Sequence, residues 1–461
     1  MKNQFNISFF TVFLLLSIQF TAAQNIIGAD ISSLQDLESH SVKFYEDGFE
    51  KDIFSILSDN HFNTIRLRLW HSPSSGSNNL EKTLLMAQRL KEKNFKFLLD
   101  FHYSDTWADP GHQSKPAVWE NLTFEELKDS VFHYSKNVIK KLEQQNTPPD
   151  YVQIGNEISC GFLWDSGKIC DPFNTPEQWK NFSELLTSAI NGVKSELTNP
   201  DQTKIIIHSD KGAKNTACKW FFENLLNNNV EFDIIGLSYY PWWSGSLDSL
   251  QQNLSLLEDQ FNKEIFLLET AYPWTLGWQD SQHNIVGLES QLLPEYEATP
   301  EGQKNYLQRI YQITSSTDKK LVTGLFYWEP QWLATTDYGS GWENLTLFDF
   351  NGNTLPAMSV FKEELTNTAT SEKPKNFELK QNYPNPFNPS TKISFYIPEN
   401  TFVELTIYNY LGEKIKTVIS SYVNAGNYSR TISMSNFPSG VYFYRLTAKN
   451  YSETKKMLLI K

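Results

Sequence analysis

The sequence is poor in cysteine and in positive charge. It contains only three cysteines, so a small fold held together by several disulfides is excluded. Cys160 and Cys170 could close a small loop in an oxidising compartment, or they could remain free thiols like Cys218, and the sequence leaves both outcomes open. Lysine and arginine total 40 against 53 aspartates and glutamates, which gives a net charge of −13. No nucleic-acid partner is expected, because binding a polyanion requires clustered Lys and Arg.

Long apolar runs are also scarce, and the longest lies at the N-terminus. The segment MKNQFNISFFTVFLLLSIQFTAAQ combines a charged Lys2, an apolar run, and small residues ending at Ala22 and Ala23. This pattern predicts a secretory signal peptide over residues 1–23. A membrane anchor is the less favoured interpretation, because the run is short for a bilayer span and no second apolar segment follows.

A glycine-rich phosphate loop is missing after the first apolar segment, which argues against a nucleotide-binding doubly wound sheet. Instead, short segments rich in Ile, Val, Leu and Phe alternate with stretches long enough for helices, as in a parallel sheet covered on both faces. Eight such segments predict a closed (β/α)₈ TIM barrel over residues 24–367. The segments are IIGADISS, NTIRLRLW, FKFLLDFHY, YVQIGNEI, KIIIHSD, FDIIGLSYYP, EIFLLETAYP and VTGLFYWEP.

Tryptophan is absent from the C-terminal part of the chain. All 13 tryptophans precede residue 377, and TATSEKPKN contributes a polar linker that we place at residues 368–376. From Phe377 onward, apolar and polar residues alternate as in half-buried antiparallel strands. Residues 377–461 are therefore predicted to form a separate, small all-β immunoglobulin-like sandwich, and whatever requires tryptophan lies in the barrel.

Function in such a barrel collects at the C-terminal ends of the strands. Glu157 and Glu269 follow predicted strands four and seven. Hydrolysis of a glycosidic bond with retention needs one carboxyl group to protonate the leaving oxygen and a second, about 5–5.5 Å away, to attack the anomeric carbon. The two glutamates are candidates for this pair. The other polar and aromatic strand-end residues are Asp30, Arg66, Arg68, Asp100, His102, Asn156, His208, Asp210, Tyr239, Tyr240, Trp328 and Glu329.

Several of these segments carry a family resemblance over about residues 26–360. NEI at Asn156–Ile158, LLETAYPW, NTIRLRLW, GLSYYPWW and, most specifically, DFHYSDTWADPGHQSKPAVW together resemble the family 53 glycoside hydrolases. The resemblance implies a retaining endo-β-1,4-galactanase with Glu157 as acid/base and Glu269 as nucleophile. It further implies that Asn156 donates to the sugar 2-hydroxyl.

The same resemblance implies that Arg66, rather than Arg68, supports the nucleophile. It places His102 and Tyr240 at the subsite where the bond is cut, and we count Asp100 with these substrate-binding residues. Sugar rings pack their C–H faces on aromatic rings, so tryptophans in mouth loops are expected to bind substrate. The best-placed ones are Trp107, Trp242, Trp274 and Trp328, for which core packing is the alternative.

Retaining chemistry needs no cofactor. Bacterial members of the family often hold a structural calcium in the loop after strand seven, which here reads WTLGWQDSQHNIVG. That loop offers Asp280, His283 and Asn284 but no run of closely spaced aspartates. Calcium prefers six to eight oxygen ligands. The resemblance therefore leaves a structural calcium ion at these three residues open.

The tail has a resemblance of its own. QNYPNPFNPST, with its regularly spaced prolines, and the segments YNYLGEKIKT and FPSGVYFYRL resemble the C-terminal sorting domain of the type IX secretion system. This implies export through the periplasm to the outer cell surface or the medium, with the secretion machinery as a partner. A sugar-binding module is the alternative, which the lack of tryptophan disfavours.

The leading hypothesis is thus a secreted, monomeric endo-β-1,4-galactanase that acts on galactan and type I arabinogalactan. Within the enzymes, the alternative is a retaining endoglycanase for another β-1,4-linked polysaccharide. Outside the enzymes, the alternative is a non-catalytic surface glycan-binding protein. The paired glutamates argue against the last, because a binder has no need of them.

Overall fold

The computed structural model describes residues 26–362, 377–423 and 426–461. The predicted signal peptide at residues 1–23 and the predicted linker at residues 368–376 lie outside these residues. The described residues fall into two compact units, one on each side of the predicted linker. No helix among them is long and apolar enough to cross a membrane.

Eight parallel strands of the first unit close into a barrel in the order β1-β8-β7-β6-β5-β4-β3-β2, which confirms the predicted architecture. Each strand lies within one of the apolar segments of the sequence. The strands are β1 (Ile26–Asp30), β2 (Thr64–Leu69), β3 (Lys96–Phe101), β4 (Tyr151–Ile154), β5 (Lys204–Ser209), β6 (Ile234–Ser238), β7 (Glu264–Glu269) and β8 (Val322–Trp328).

Helices cover the outside of the barrel and connect the strands. They bury one apolar face each, and polar caps such as the Thr123 and Glu126 capping box fix where they begin. The helices are α1 (Leu34–Ser39), α2 (Ile53–Asp59), α3 (Leu80–Glu92), α4 (Phe124–Gln144), α5 (Pro176–Lys194), α6 (Asn215–Asn227), α7 (Pro241–Ser244), α8 (Leu247–Phe261) and α9 (Pro300–Ser315).

The barrel interior is packed with large apolar side chains that glycines make room for. The Phe326 ring lies where a β-carbon on Gly28 would stand, and Phe266 does the same at Gly324. A larger residue at either glycine would push these rings out of the interior layer. The interior is therefore a solid core, and the open space lies at its ends.

The loop after β4 is cross-linked by a disulfide between Cys160 and Cys170, an outcome the sequence left open. The two cysteines flank a short hairpin, in which Gly161–Phe162 pairs with Gly167–Lys168. Cys218 is a buried free thiol. The disulfide limits the movement of the loop that begins at Glu157.

The second unit is an all-β sandwich, as predicted. Its strands are β9 (Glu378–Leu379), β10 (Ser390–Ile397), β11 (Thr401–Tyr408), β12 (Lys414–Val423), β13 (Gly426–Ser433), β14 (Gly440–Ala448) and β15 (Tyr451–Leu459). One sheet has the order β9-β10-β13 and the other β12-β11-β14-β15. Alternate residues such as Ile393, Phe395, Leu405 and Tyr444 fill the space between them.

Candidate active site

A cleft of about 490 Å³ opens at the C-terminal ends of the barrel strands. It contains both candidate glutamates and most of the predicted substrate-binding residues. The side chains that line it are Asp30, Arg66, Arg68, Asp100, His102, Trp107, Ala108, Asp109, Pro110, Asn156, Glu157, Asp210, Lys211, Lys214, Ser238, Tyr240, Trp243, Ser244, Glu269, Trp328 and Trp342.

The guanidinium of Arg66 lies at the bottom of the cleft and is buried. It donates to three carboxylates: Nη1 lies 2.8 Å from Glu269 and 3.0 Å from Asp30, and Nη2 lies 2.9 Å from Asp100. Arg66 Nη2 also donates to Asn156 Oδ1 at 2.8 Å, and Nε donates to Gln153. A planar guanidinium is the side chain that can serve so many acceptors at fixed angles, which a lysine cannot.

Glu269, the last residue of β7, is held as an acceptor of hydrogen bonds. Arg66 donates to Oε1, and the Tyr240 hydroxyl donates to Oε2 at 3.0 Å. Burial raises the pKa of Glu269 above its usual value, while the Arg66 charge and the Tyr240 hydrogen bond lower it. Both donors stabilise the ionised form, and this carboxylate can therefore act as a nucleophile.

Glu157 follows β4 and has different surroundings. Burial raises its pKa well above the usual range, and the negative charges of Glu269 and Asp210 raise it further. Its backbone is in the left-handed region at φ 50°. Of the two glutamates Glu157 thus holds its proton more firmly, as a general acid must near neutral pH.

Asn156 and His102 complete the predicted surroundings of the two glutamates. Asn156 Nδ2 donates to the backbone oxygen of Ala108, and its Oδ1 is fixed by Arg66. His102 Nδ1 accepts from the backbone N–H of Ala108 at 3.1 Å, so the Nε2 proton points to Asp100 at 3.1 Å. Burial opposes ionisation of Asp100, but the Arg66 charge and the His102 ring together outweigh it and lower the Asp100 pKa.

Arg68, two residues after Arg66, serves a different part of the cleft. Its Nη1 donates to Glu329 at 2.6 Å, and its guanidinium lies 4.2 Å from the centre of the Trp107 ring. Burial raises the pKa of Glu329 to about 7. Arg68 therefore lies beside an aromatic wall, whereas Arg66 contacts Glu269 directly.

The structure brings two of the four predicted tryptophans into the cleft. Trp107 and Trp328 line it, and their ring centres are 5.9 Å apart. Trp242 and Trp274 are not among the lining residues. The Trp242 ring packs against Tyr240 at 5.2 Å, and Trp274 packs against Phe350 at 4.7 Å.

Two further tryptophans line the cleft, and sequence reasoning missed both. Trp243 is 59% exposed and neighbours Trp242 in the PWW turn, where a helical turn aims adjacent side chains in different directions. Trp342 lies in the loop after β8 and contacts Trp328 at 4.5 Å. No local signal marks Trp342, because its position depends on how a long loop folds back. Gln153 and Ser238 were also missed, since neither differs from an ordinary strand residue.

The three residues considered for calcium lie in the loop after β7. Both Asp280 carboxylate oxygens already accept backbone N–H groups, from Gln282 at 2.7 Å and Ser340 at 2.8 Å. The His283 ring packs against Trp278, and Asn284 Nδ2 donates to the backbone of this loop.

Two buried oxygens nearby, Asn284 Oδ1 and Glu343 Oε2, have no hydrogen-bond partner in the described part of the chain. Calcium requires about six to eight oxygens, however. Across residues 26–362, 377–423 and 426–461, no group of three or more His, Cys, Asp or Glu side chains is arranged to hold a metal ion. The loop therefore fits a calcium ion poorly, and no chemical step is assigned to one.

Comparison with known families accounts for both units. Residues 26–361 match the model of glycosyl hydrolase family 53, and residues 381–461 match the model of a secretion system C-terminal sorting domain. An arabinogalactan endo-β-1,4-galactanase of Cellvibrio japonicus is 34% identical over 360 residues, which cover 75% of this chain and 93% of that protein.

Solved structures show the same relationship. A GH53 catalytic domain from Ignisphaera aggregans is 36% identical with a TM-score of 0.69, over 75% of this chain and 97% of that one. A structure described as one of two fungal β-1,4-galactanases is 33% identical with a TM-score of 0.65, over 74% of this chain and 100% of that one.

The Arg66 contacts predict a large loss of stability when the guanidinium is removed. Arg66→Met leaves several buried carboxylates without their cation, so the free energy of unfolding should fall by about 3–5 kcal/mol. Urea unfolding followed by tryptophan fluorescence measures the barrel alone, because all 13 tryptophans lie in it. The control Arg89→Met breaks a partly exposed pair with Glu38 and should cost less than about 1 kcal/mol. Equal losses for the two variants would contradict the central place given to Arg66.

Proposed function

Because this chain belongs to glycosyl hydrolase family 53, we propose that it is an endo-β-1,4-galactanase that cleaves galactan and type I arabinogalactan. Relatives from Cellvibrio japonicus and Thermothelomyces thermophilus are named arabinogalactan endo-β-1,4-galactanases, and their similarity covers more than 90% of each of those proteins. The observation that carries the mechanism is the unequal environment of Glu157 and Glu269 in one cleft.

The proposed reaction proceeds in two displacements. The Glu269 carboxylate attacks the anomeric carbon while Glu157 gives its proton to the departing glycosidic oxygen, which leaves a galactosyl ester on Glu269. Glu157, now ionised, takes a proton from a water molecule that attacks the same carbon and releases Glu269. Two inversions return the β configuration.

The neighbouring residues act by position and charge. Arg66 and Tyr240 hold the Glu269 carboxylate with one donor on each oxygen, which fixes its orientation toward the sugar. Arg66 also fixes Asn156 Oδ1, so that the Asn156 amide is set to donate to the sugar 2-hydroxyl. Hydrogen bonds to the 2-hydroxyl that strengthen in the transition state lower the barrier.

The aromatic residues of the cleft are proposed to bind neighbouring sugars. Trp107, Trp328 and Trp342 form one connected cluster, and Trp243 on the loop after β6 is joined to it through the Tyr240 ring. Several aromatic rings in the same cleft as the two glutamates suit an internal stretch of a polysaccharide. Endo-acting cleavage follows from such a cleft.

The sorting domain directs the protein out of the cell, to the surface or the medium. We further propose that the chain passes through the periplasm on the way, that the secretion machinery recognises the tail, and that the enzyme acts as a monomer without a nucleic-acid partner. The acidic net charge of −13 supports the last point.

A panel of purified polysaccharides tests the proposed substrate. Linear β-1,4-galactan should lose viscosity well before much free sugar accumulates, and proton NMR of fresh digests should show the β product first. Galactose has an axial 4-hydroxyl, so a β-1,4-galactan chain bends where cellulose is straight, and cellulose and mannan should be poor substrates. Glu269→Gln controls for contaminating enzymes. Initial α product would refute retention, equal cleavage of mannan would favour the broader endoglycanase alternative, and binding without cleavage would favour a glycan-binding protein.

A second experiment tests the role of Glu157. Glu157→Ala should lower turnover of galactan by roughly 10²–10⁴-fold, because the leaving oxygen is no longer protonated. The same variant should still release an activated phenol from an aryl galactoside in a rapid first burst, since such a leaving group needs no acid. Glu258→Gln is a control outside the cleft, because Glu258 is buried and its carboxylate accepts the backbone N–H groups of Lys319 and Leu321 before β8. Loss of the burst together with galactan turnover would mean that Glu157 is not the acid.

A further inference from the structure

Arg68 is a buried cation that the proposed reaction does not use. It lies two residues after Arg66 on β2, so both side chains leave the strand on the same face, with Arg68 nearer the mouth of the barrel. Arg68 is 4% exposed, and its partner Glu329 is 0% exposed. A buried ion pair stabilises a fold no better than apolar side chains of similar size would, which points to a role in placing neighbouring groups.

The Glu329 carboxylate is held by several donors. The Ser33 backbone N–H donates to Oε1 at 3.2 Å, and the Ser33 hydroxyl donates to Oε2 at 2.5 Å. Gln331 Nε2 donates to Oε2 at 2.7 Å, and Arg68 Nη1 donates to Oε1 at 2.6 Å. These residues come from the ends of β8, β1 and β2, which are neighbours in the barrel. The carboxylate is therefore fixed on both oxygens, and it fixes the guanidinium of Arg68.

The Arg68 guanidinium in turn lies against tryptophan rings. Its central carbon is 4.2 Å from the centre of the Trp107 ring, against 5.7 Å for Trp70 and 5.9 Å for Trp328. A planar, weakly hydrated guanidinium is attracted to the π-system of an indole. Trp107 is thus the ring that this cation contacts most closely.

Trp107 depends on such contacts for its direction. It lies in the loop between β3 and α4, where no strand or helix sets the direction of its side chain. Its ring centre is 5.9 Å from that of Trp328 and 6.1 Å from that of Trp332. Trp107 also lines the cleft and is one of the rings proposed to bind a sugar. The surface that it presents to a sugar is therefore set by these three neighbours, of which Arg68 is the charged one.

We propose that Glu329 and Arg68 are positioning residues for substrate binding, with Glu329 holding the Arg68 guanidinium against Trp107 so that the indole presents a fixed surface to a sugar ring. The inference rests on the proposed binding of galactan in this cleft. Affinity for a neutral sugar chain then depends on a buried charge pair, because a ring that is already oriented loses less freedom when the sugar binds.

The rival explanation is a charge effect on the catalytic pair. Arg68 Nη1 also lies 3.9 Å from Asp30 Oδ1, and Asp30 shares the Arg66 guanidinium with Glu269. The two explanations differ in what they change. An effect through Trp107 weakens binding, whereas an effect through Asp30 changes the reactivity of Glu269 and so lowers kcat.

The kinetics of Arg68→Met on linear β-1,4-galactan test the proposal, because methionine keeps an apolar stem but removes the guanidinium. KM should rise about tenfold while kcat stays within about twofold of the unmodified protein. Arg68→Lys keeps a cation for Glu329 without the planar group, and it should recover part of the KM. Calorimetry of β-1,4-galactotetraose binding to full-length Glu269→Gln protein should show the same loss of affinity on Arg68→Met, without any turnover.

A double-mutant cycle with Trp107→Ala identifies the ring through which Arg68 acts. In the Trp107→Ala protein, adding Arg68→Met should lower kcat/KM by less than about twofold, because the ring that the guanidinium positions is gone. An equal loss in both backgrounds would overturn the inference. A fall in kcat with KM unchanged would also overturn it, in favour of the route through Asp30.

Two further variants guard against a general disturbance. Arg68→Met combined with Glu329→Gln removes both charges, so no buried carboxylate is left unpaired, and this folded protein should show the same rise in KM. Arg89→Met is the matched control, because Arg89 pairs with Glu38 and lies 4.9 Å from the Phe54 ring centre, outside the cleft. It should leave KM unchanged. An unchanged KM in the double variant, or an equal rise in Arg89→Met, would overturn the inference.

The outcomes separate this inference from the proposed function. An unmodified protein that does not cleave galactan, with a Glu269→Gln form that does not bind galactotetraose, would overturn the proposed function and this inference with it. An active protein whose KM and galactotetraose affinity do not respond to Arg68→Met would overturn the inference alone.

Discussion

The guanidinium of Arg66 is the group on which the catalytic arrangement depends. It is buried among Asp30, Asp100 and Glu269, and it is the cation that faces all three. Several buried carboxylates at one end of a barrel would repel one another and take up protons without it. With it, the ionised form of Glu269 is stabilised and its carboxylate is oriented, whereas burial and the charges of Glu269 and Asp210 hold the pKa of Glu157 well above its usual value. The different roles proposed for the two glutamates thus rest on the position of one cation.

Glu157, the proposed acid/base, is held by a second set of contacts. It begins the loop that the Cys160–Cys170 bridge closes, and its left-handed backbone contacts His208 through the backbone nitrogen. His208 Nε2 in turn lies 2.9 Å from Ser238 Oγ. The carboxylate of Glu269, by contrast, is held directly by the Arg66 guanidinium and the Tyr240 hydroxyl.

Much of the fold was predictable from the sequence, since the strands of a barrel are buried on both faces and read as continuous apolar runs. The proposed catalytic pair could be chosen from the sequence for a related reason, because a glutamate that ends such a run is unusual. The place of Trp243 in the cleft could not be predicted, since choosing it over Trp242 requires knowing the direction of each side chain in a short helical turn. The position of Trp342 and the contact of Ser238 with His208 could not be predicted either, because both depend on residues distant in sequence that only the closed barrel brings together. The pairing of Cys160 with Cys170 was open for the same reason.

Trapping of the covalent intermediate tests the central claim most directly, namely that Glu269, the glutamate held by Arg66, is the nucleophile. A 2-deoxy-2-fluoro-β-galactobioside with a dinitrophenyl leaving group should inactivate the enzyme. Fluorine slows both formation and hydrolysis of the glycosyl ester, but the activated leaving group speeds its formation, so the ester accumulates. Mass spectrometry of a protease digest should then find one galactobiosyl adduct, on the peptide that contains Glu269. An adduct on Glu157, or full inactivation with no adduct on either glutamate, would contradict the account.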